Sequence, residues 1–476
     1  MAVGSLLNIR FICMGKGRMK MLYFREREKN LLRRFVSEPQ TKALAIYGRR
    51  RTGKTSLVLD FIAENQNKKI LYYQCASQDY SSCLSDYLSS LESYFPDDTI
   101  LSGLKSFKEV FQYLSKIGEK EIVFIIDEFP FLAKKREDTA AEFQWIIDHA
   151  LNGNKLILMG SSLSFMKSQI NDTEAPLYGR FDEIIEIRPF SFNEIRALFP
   201  DFEEAVDVYA QTGGVAQYVM FFKRYDNVKQ ATEDLFFNRD GRLFQEAANL
   251  LMQELRDIST YVSILRALAG GEKDSGQIAQ KCGMDQRGVF GYLNKLTELE
   301  IVSQVVNPLS AKKKERRYKI SDLFFRFNYT FIEPNLSMIT SIGERARPFV
   351  LGEKYNEYLG FVYEEIIRSL CFEYALAGKF PFMPVVVGKW WGNICENGEW
   401  KESEIDVVAF NDSEIIIGEC KYKSKKIGKK ELDVLKSKSQ FVPVKGRRIT
   451  YLLASRSGFT EELKDLNQDV ILLEKT

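Results

Sequence analysis

One stretch of eight residues has the composition and spacing of a phosphate-binding loop. It reads Gly48-Arg49-Arg50-Arg51-Thr52-Gly53-Lys54-Thr55 and matches the pattern G-x-x-x-x-G-K-[ST]. Glycines let the backbone curl so that its N–H groups converge on phosphate oxygens. The lysine can reach the terminal phosphates of a nucleotide, and the final threonine hydroxyl can ligate magnesium. The stretch therefore predicts binding of ATP together with Mg²⁺.

The flanking residues place this loop between a strand and a helix. Ala43–Tyr47 is an apolar run typical of a buried strand, and Ser56–Ile62 has the apolar face of a helix. The helix then adds the positive end of its dipole beside the phosphates. The alternative is an ordinary glycine turn, which leaves the completeness of the motif unexplained. We expect the nucleotide to contact Gly48, Arg49, Arg50, Arg51, Thr52, Gly53, Lys54, Thr55 and Ser56.

Two carboxylates end a second buried strand. Ile122–Ile126 is followed directly by Asp127 and Glu128. Five consecutive apolar residues fit a strand of a parallel sheet that is buried on both faces. Ligands of α/β folds lie at the carboxyl ends of such strands. We therefore expect Asp127 to hold magnesium and Glu128 to polarise the water that attacks a phosphoanhydride.

Two residues further along are candidates for contact with phosphate. Ser161 follows the apolar run Lys155–Gly160, where its hydroxyl could reach a γ-phosphate or instead cap the next helix. Arg180 ends the segment Pro176-Leu177-Tyr178-Gly179-Arg180. It could face phosphate in its own or a neighbouring subunit, or it could be a surface side chain. Both pairs of alternatives stay open.

The composition excludes several kinds of chemistry. The chain has 476 residues and a formal net charge of only +2, so whole-chain charge does not indicate nucleic acid. It contains one histidine, His149. Zinc sites built on several histidines, HExxH proteases and HNH-type nucleases are therefore excluded. The chemistry must come from carboxylates, lysines, arginines, hydroxyls and bound metal.

The cysteines and the apolar runs indicate the cellular compartment of the protein. Seven cysteines are scattered without a C-x-x-C pair, as expected for reduced thiols in a cytoplasm. No apolar run is long enough to cross a membrane, and the short N-terminal run is broken by Arg10. We expect a cytoplasmic protein without a membrane partner, whose first residues form an N-terminal tail.

Residues 255–322 have the pattern of three helices and a hairpin, which describes a winged helix. The hairpin loop is basic, and its cations could contact the phosphates of a nucleic acid. The alternative is a solvated hairpin tip on a domain that serves only for packing. The basic residues are Lys312, Lys313, Lys314, Arg316 and Arg317.

Near the C-terminus, carboxylates and a lysine fall on two neighbouring strands. Glu404–Phe410 and Glu414–Lys421 read as strands joined by a short turn. Strand periodicity puts Glu419 and Lys421 on one face, with Asp406 on the paired strand. Two carboxylates and an ammonium group could bind magnesium and orient a water at a phosphodiester. The alternative is a charged edge hairpin. Lysines at 421, 423, 425, 426, 429 and 430 form a phosphate-binding track or a solvated face.

The order of motifs in the first half resembles the archaeal-type AAA+ ATPase family, which also has bacterial members. The similarity covers about residues 23–250. It implies a P-loop core, a helical lid, and for Ser161 the position of the first sensor. The motifs are the phosphate-binding loop, Asp127-Glu128, Gly160-Ser161-Ser162, Pro176-Leu177-Tyr178-Gly179-Arg180 and Thr212-Gly213-Gly214.

The C-terminal spacing D-x12-E-x-K resembles the PD-(D/E)xK nuclease core, with Ile405 in place of the proline. Glu364 matches the helical acid that often precedes that core. The pair Trp390-Trp391 resembles the domain of unknown function attached to archaeal-type ATPases. The resemblance implies that Glu364, Asp406 and Glu419 bind metal and that Lys421 positions the nucleophile.

These patterns predict an α/β protein. Its P-loop NTPase core is AAA+-like, with a parallel sheet, a helical lid, a winged helix and a C-terminal α/β restriction-endonuclease-like domain. The predicted boundaries are a tail at 1–22, the ATPase core at 23–200, the lid at 201–254, the winged helix at 255–322, a linker at 323–350 and the nuclease-like domain at 351–476.

The predicted function is ATP hydrolysis that regulates or powers a metal-dependent nuclease-like domain acting on nucleic acid, with DNA favoured over RNA. The catalytic candidates are Lys54, Glu128, Arg180 and Lys421. A nucleotide-dependent switch or scaffold that only binds nucleic acid or protein is the main alternative. A transcription regulator acting through the winged helix is a third. A homo-oligomer or a protein partner is compatible with each.

Overall fold

The structure is a computed structural model, and it describes residues 24–76, 79–96, 98–118, 120–310, 316–396, 398–465 and 470–475. The predicted tail up to residue 22 and the loop lysines Lys312, Lys313 and Lys314 lie outside these residues. The chain divides into two compact units. One contains Met1–Pro189 and Val215–Gln217, and the other contains Phe190–Gly214 and Tyr218–Thr476.

The first unit is built on a five-stranded sheet of order β2-β3-β4-β1-β5. Each pair of neighbouring strands is parallel, which confirms the predicted α/β core. All residues of β3 and β4 are buried because these strands have a neighbour on each side and helices on both faces. The strands are β1 (Ala43–Tyr47), β2 (Lys69–Gln74), β3 (Ile122–Asp127), β4 (Lys155–Gly160) and β5 (Glu183–Glu186).

Helices cover both faces of this sheet, and β3 shows why. Its side chains alternate, so Phe124 and Ile126 belong to one apolar cluster while Val123 and Ile125 belong to the other. The helices are α1 (Glu26–Ser37), α2 (Lys54–Glu64), α3 (Tyr80–Glu92), α4 (Phe107–Lys116), α5 (Phe129–Ala133), α6 (Thr139–His149) and α7 (Leu163–Asn171).

The second unit begins with helices and a two-stranded antiparallel sheet. Asp201, Asp274 and Asp285 accept backbone N–H groups at the starts of α9, α14 and α15. The helices are α8 (Phe192–Leu198), α9 (Phe202–Thr212), α10 (Ala216–Phe222, of which Ala216 and Gln217 are assigned to the first unit), α11 (Val228–Phe236), α12 (Glu246–Glu254), α13 (Ser259–Ala269), α14 (Ser275–Cys282) and α15 (Gln286–Glu298). The strands are β6 (Val302–Val306) and β7 (Arg316–Ile320).

The segment predicted as a linker is helical and leads into a long helix. It comprises α16 (Leu323–Phe327), irregular helical turns, α17 (Leu336–Ile342) and α18 (Arg347–Leu376). Pro348 lies in the first turn of α18, where proline is tolerated because its missing N–H has no helical partner. Gly352, with φ of 44° and ψ of −144°, interrupts α18 close to the predicted domain boundary after residue 350, which stays a prediction.

The second unit ends in a five-stranded mixed sheet of order β12-β11-β10-β9-β8. Strands β8, β9 and β10 pair antiparallel, and β10, β11 and β12 pair parallel. The strands are β8 (Val386–Glu396), β9 (Glu399–Phe410), β10 (Glu414–Lys421), β11 (Arg448–Ser455) and β12 (Val470–Glu474), and the helices are α19 (Lys429–Ser439) and α20 (Glu461–Lys464).

A bulge interrupts the pairing of β8 with β9. Gly388 lies opposite Val408, and Trp390 lies opposite Ile405, so Asp406 and Val407 together face the single residue Lys389. A bulge changes the direction of a side chain locally and is frequent beside functional sites. Here it falls at Asp406, one of the predicted metal ligands.

Candidate nucleotide site and C-terminal carboxylate site

The phosphate-binding loop needs glycine at its first position. A Cβ atom on Gly48 would lie 2.3 Å from the backbone oxygen of Ile187, which is far inside van der Waals contact. Gly53 ends the loop with φ of 100°, a value that glycine adopts readily and other residues rarely do. The backbone thus has the tight turn that the motif predicts, directly before α2.

Internal hydrogen bonds fix the shape of this loop. Thr52 Oγ1 donates to the carbonyl of Arg49 at 2.8 Å, and Lys54 Nζ donates to the carbonyls of Gly48 and Arg49 at 2.8 Å each. Arg25 donates to the carbonyl of Thr52 at 3.2 Å from outside the loop. Arg25 is buried and was not predicted as a site residue.

Asp127 accepts hydrogen bonds from neutral donors. Its Oδ2 atom accepts from Thr55 Oγ1 at 2.8 Å and from the Tyr72 hydroxyl at 2.8 Å. Its Oδ1 atom accepts from the backbone N–H of Glu128 at 2.9 Å. The carboxylate is fully buried, and burial raises its pKa, with a further rise from the neighbouring charge of Glu128. The structure thus joins the predicted ligands Thr55 and Asp127 directly.

Glu128 turns away from the strand in a left-handed backbone conformation, with φ of 55°. Its Oε2 atom accepts a hydrogen bond from Ser161 Oγ at 2.8 Å. The alternative that these serine hydroxyls cap α7 is wrong. Ser162 occupies the N-cap position without a capping bond, and its hydroxyl accepts from Lys134 Nζ at 2.8 Å. The ends of β3 and β4 therefore bring together two of the predicted residues.

The arginines have different surroundings. Arg50 lies over the ring of Phe131 at 5.7 Å, and Arg51 donates to Gln217 at 2.8 Å. Arg180 forms an ion pair with Asp148 at 2.9 Å, so its guanidinium is not among the groups gathered around Asp127. Ser56 is exposed in the first turn of α2. The roles of Arg49, Arg50, Arg51, Ser56 and Arg180 toward phosphate stay predictions.

In the second unit, Asp406 lies within β9, and Glu419 and Lys421 lie near the end of β10. The last ladder pair, Val407 with Gly418, directly precedes Glu419 on β10. Asp406 Oδ2 accepts from the backbone N–H of Cys420 at 2.8 Å, and Lys421 Nζ donates to Glu419. Burial raises the pKa of Asp406 to about 6, with the charge of Glu419 as the second cause. The predicted convergence of these side chains is therefore present.

Glu364 lies close to this group on α18. Burial raises its pKa to about 8, and the charge of Asp406 contributes to the rise. Arg368, one helical turn further on, lies 3.6 Å from the Glu364 carboxylate and donates to the backbone oxygen of Asp406. In the part of the chain that the structure describes, no three histidine, cysteine or acidic side chains form a group able to hold a metal. Metal binding by Glu364, Asp406 and Glu419 stays a prediction.

Two lysines of this region were not predicted as site residues. Lys438 Nζ, from α19, lies 3.5 Å from Glu419 Oε2. Lys389, the residue opposite the bulge, forms ion pairs with Glu404 at 3.1 Å and with Glu272 at 2.9 Å. Neither lysine belongs to a motif that assigns it to the site, so only the folded chain reveals these contacts.

The hairpin predicted to contact nucleic acid is bound to the C-terminal sheet. Arg317, on β7, forms ion pairs with Glu402 and Glu404 and lies over the ring of Trp391 at 4.7 Å. Lys319, on the same strand, donates to Glu365 at 2.6 Å. Arg317 thus does not point freely to solvent as a wing cation would, and packing is favoured for it. Arg316 is exposed.

Comparison with known proteins defines the class. Residues 22–221 match the family described as "ATPase domain predominantly from Archaea". Residues 328–433 match DUF234, described as "Archaea bacterial proteins of unknown function". The chain thus contains an archaeal-type ATPase domain followed by a domain of unknown function. This confirms the family resemblance, whereas neither description mentions a nuclease.

The chain belongs to the same family as the uncharacterized protein MJECL04 of Methanocaldococcus jannaschii. The two are 32% identical over 405 residues, which is 83% of this chain and 85% of that protein.

In the part of the chain that the structure describes, no helix is both long and apolar enough to span a bilayer.

Solved structures support the fold. The Walker-type ATPase PABY2304 of Pyrococcus abyssi has a TM-score of 0.51 and 20% identity, covering 65% of this chain and 96% of that one. The Aeropyrum pernix ORC2 protein, solved as ADPNP-ADP complexes, has a TM-score of 0.42 and 16% identity, covering 67% and 96%. The first similarity supports a Walker-type ATPase fold, and the second is too weak to carry a conclusion.

Proposed function

We propose that the first unit binds ATP with magnesium and hydrolyses it. The hydrogen bond of 2.8 Å between Thr55 Oγ1 and Asp127 Oδ2 carries this proposal. It joins the phosphate-binding loop to the end of β3, where Glu128 also lies. A hydroxyl and a carboxylate are the hard oxygen ligands that magnesium prefers. Thr55 and Asp127 would hold the ion, which when bound offsets charge on the phosphates.

The remaining residues have distinct tasks in this proposal. The loop N–H groups and the Lys54 ammonium bind the phosphate oxygens. Glu128 orients a water for attack on the terminal phosphorus and accepts its proton. Ser161 holds one oxygen of Glu128 through its bond of 2.8 Å and so limits how that carboxylate turns. Products are ADP and inorganic phosphate.

Phosphate release by the purified full-length chain tests this proposal. Asp127→Asn keeps the shape of the side chain but removes its charge, so turnover with magnesium should fall by about 100-fold or more. Asp86→Asn changes an exposed carboxylate of α3 and serves as the matched control. Equal turnover in the wild type and in Asp127→Asn would contradict the proposal.

For the C-terminal region we propose a PD-(D/E)xK-like domain that acts on the phosphodiester backbone of nucleic acid. Asp406 and Glu419, on adjacent strands, support it together with the Lys421 ammonium beside them. Magnesium is commonly bound by one or two protein carboxylates and otherwise by water and substrate oxygens, so two carboxylates suffice. Helices α13 to α15 with β6 and β7 would form the winged-helix arrangement ahead of it. The nucleotide state of the first unit would regulate this activity.

Cleavage of a mixed DNA and RNA substrate by the full-length chain, with magnesium or manganese and with or without ATP, tests the second proposal. Asp406→Ala should abolish cleavage because it removes a ligand. Lys421→Ala should retain metal binding, measured by calorimetry, yet lose cleavage because it removes the ammonium that positions the water and offsets part of the developing phosphate charge. Lys354→Ala, at an exposed position of α18 outside the lysine run, is the control. Absence of both cleavage and metal binding in the wild type would contradict the proposal.

A binding module without cleavage is the second candidate for this region. Glu419 is already paired with Lys421 and lies 3.5 Å from Lys438, so its charge is largely compensated within the protein. A domain of this kind would bind nucleic acid or protein in response to the nucleotide. Nucleic acid binding that persists in Asp406→Ala, without cleavage in the wild type, would favour it.

A further inference from the structure

Tyr72 contacts the nucleotide site from a strand that carries no part of its motifs. It lies in β2, at the edge of the parallel sheet, and pairs in register with Ile125 of β3. Its hydroxyl reaches two residues further along β3 and donates to Asp127 Oδ2 at 2.8 Å. The side chain is partly buried. This contact links the edge of the sheet to the carboxylate that would hold magnesium.

Tyr72 and Thr55 donate to the same oxygen of Asp127, each at 2.8 Å. A fully buried carboxylate is costly without donors, and these hydroxyls satisfy its oxygen by hydrogen bonding without neutralising its charge. Burial and the charge of Asp127 raise the pKa of the Tyr72 hydroxyl, so it keeps its proton and remains a donor. The two donors nevertheless differ in position, because Thr55 belongs to the phosphate-binding loop and Tyr72 does not.

We propose that Tyr72 is a positioning residue that fixes Asp127 when Thr55 serves the magnesium–nucleotide complex. This inference rests on the proposed ATPase function. The Thr55 hydroxyl has a single proton, and its oxygen is the one expected to ligate the metal. Tyr72 stays bonded to Asp127 regardless of what Thr55 binds. It thereby restricts the rotation of the carboxylate that must face the metal.

A purely structural role is the competing explanation, in which the hydroxyl only satisfies a buried acceptor. The two roles differ in what magnesium does. If the role is structural, removing the Tyr72 hydroxyl lowers stability equally with and without magnesium. If the role is positioning, removing that hydroxyl also reduces the gain in nucleotide affinity that magnesium provides. The neighbouring Tyr73 offers a matched control, since its buried hydroxyl donates to the carbonyl of Cys83 at 2.9 Å and not to Asp127.

The test compares Tyr72→Phe, Tyr73→Phe and the wild type as full-length chains. Binding of a non-hydrolysable ATP analogue is measured by calorimetry with magnesium and with EDTA, and urea unfolding is measured without nucleotide. In Tyr72→Phe the affinity with magnesium divided by the affinity with EDTA should fall about tenfold, because one hydrogen bond to a charged group is lost. Tyr73→Phe should keep the wild-type ratio, and both variants should remain folded.

A wild-type ratio in Tyr72→Phe would overturn the proposal, including the case in which that variant is less stable. A similar fall in both variants would also overturn it, because the effect would then be a general property of β2. If the wild type binds no nucleotide, the proposed ATPase function fails together with this inference. If the wild type binds and only the Tyr72 ratio is unchanged, the inference alone fails.

Discussion

Asp127 and Glu419 are both buried carboxylates at the end of a central strand, but their partners differ in charge. Asp127 accepts from two hydroxyls and a backbone N–H, all neutral. Glu419 is paired with the Lys421 ammonium and lies near that of Lys438. Neutral donors leave the negative charge available to a cation, whereas ammonium groups already compensate it. If both sites bind magnesium as we propose, the first would offer its carboxylate directly, whereas the second would have to open an ion pair.

The largest expected effect concerns Glu128 in the first site. Glu128→Gln should lower ATP turnover by about 10²- to 10⁴-fold, because the amide cannot accept the proton of the attacking water. ATP affinity should stay close to that of the wild type. Phosphate release and equilibrium binding on the same preparation would check both. Glu92→Gln, at the exposed end of α3, is the control. Unchanged turnover in Glu128→Gln would contradict the role of Glu128 as the base that accepts the proton of the attacking water.

A pH effect on stability is expected from Asp207 in the second unit. Like Asp127, it accepts from a tyrosine hydroxyl, here Tyr355 at 2.9 Å. Burial raises its pKa from 3.8 to about 6, against the opposing effect of Arg347 and Arg456. The folded state therefore keeps a proton that the unfolded chain loses, and its contribution to stability is lost as pH rises from about 4 to 6.

Asp207→Asn removes this titration and should be more stable than the wild type at pH 7 by about 1 to 3 kcal/mol. Urea unfolding at pH 4 and pH 7, followed by tryptophan fluorescence, measures the difference. Three of the four tryptophans lie in the second unit. An identical pH dependence in the variant and the wild type would show that the Asp207 proton is not coupled to folding.

Ser161 and Ser162 give a finer test of the first site. Ser161→Ala should lower turnover by about tenfold, because Glu128 loses the donor that orients it. Ser162→Ala should leave turnover nearly unchanged, since that hydroxyl contacts Lys134. Phosphate release at saturating ATP compares them. Equal effects of the two substitutions would mean that the bond to Glu128 has no part in turnover.

The smallest expected effect concerns the hairpin of the second unit. Arg317→Ala should destabilise that unit by about 1 to 2 kcal/mol, because two carboxylates and Trp391 lose their cation. Its effect on nucleic acid affinity should be small. Arg316→Ala, at the exposed neighbouring position, should leave stability unchanged. A large loss of affinity and a flatter salt dependence in Arg317→Ala would restore it as a phosphate contact.

The parallel sheet and most of the nucleotide site could be predicted from the sequence. Continuous apolar runs ending in a glycine loop or in Asp127-Glu128 are local patterns, and a parallel sheet brings such ends together. The observed strand Ala43–Tyr47 has the predicted bounds. The C-terminal strand Glu414–Lys421 does as well, because a continuous apolar run after a turn defines it.

The missing parts depend on contacts between residues distant in sequence. Tyr72 and Asp127 are 55 residues apart, and Lys438 is 19 residues beyond Glu419. Nothing local marks either side chain as part of a site. Pro348 alone does not show whether a helix ends or begins there, since a proline can do either, and in the structure it lies in the first turn of α18. Arg317 was predicted from its charge alone, and only the fold shows its carboxylate partners.

ATP hydrolysis by the P-loop is the central claim, and Lys54 tests it most directly. The measurement is ATP binding and phosphate release by the full-length wild type, Lys54→Ala and Lys68→Ala, the last at an exposed position after α2. The wild type and Lys68→Ala should bind and hydrolyse ATP alike. Lys54→Ala should bind about 10- to 100-fold more weakly, because an ammonium facing the phosphates is lost. Wild-type affinity and turnover in Lys54→Ala would contradict the account.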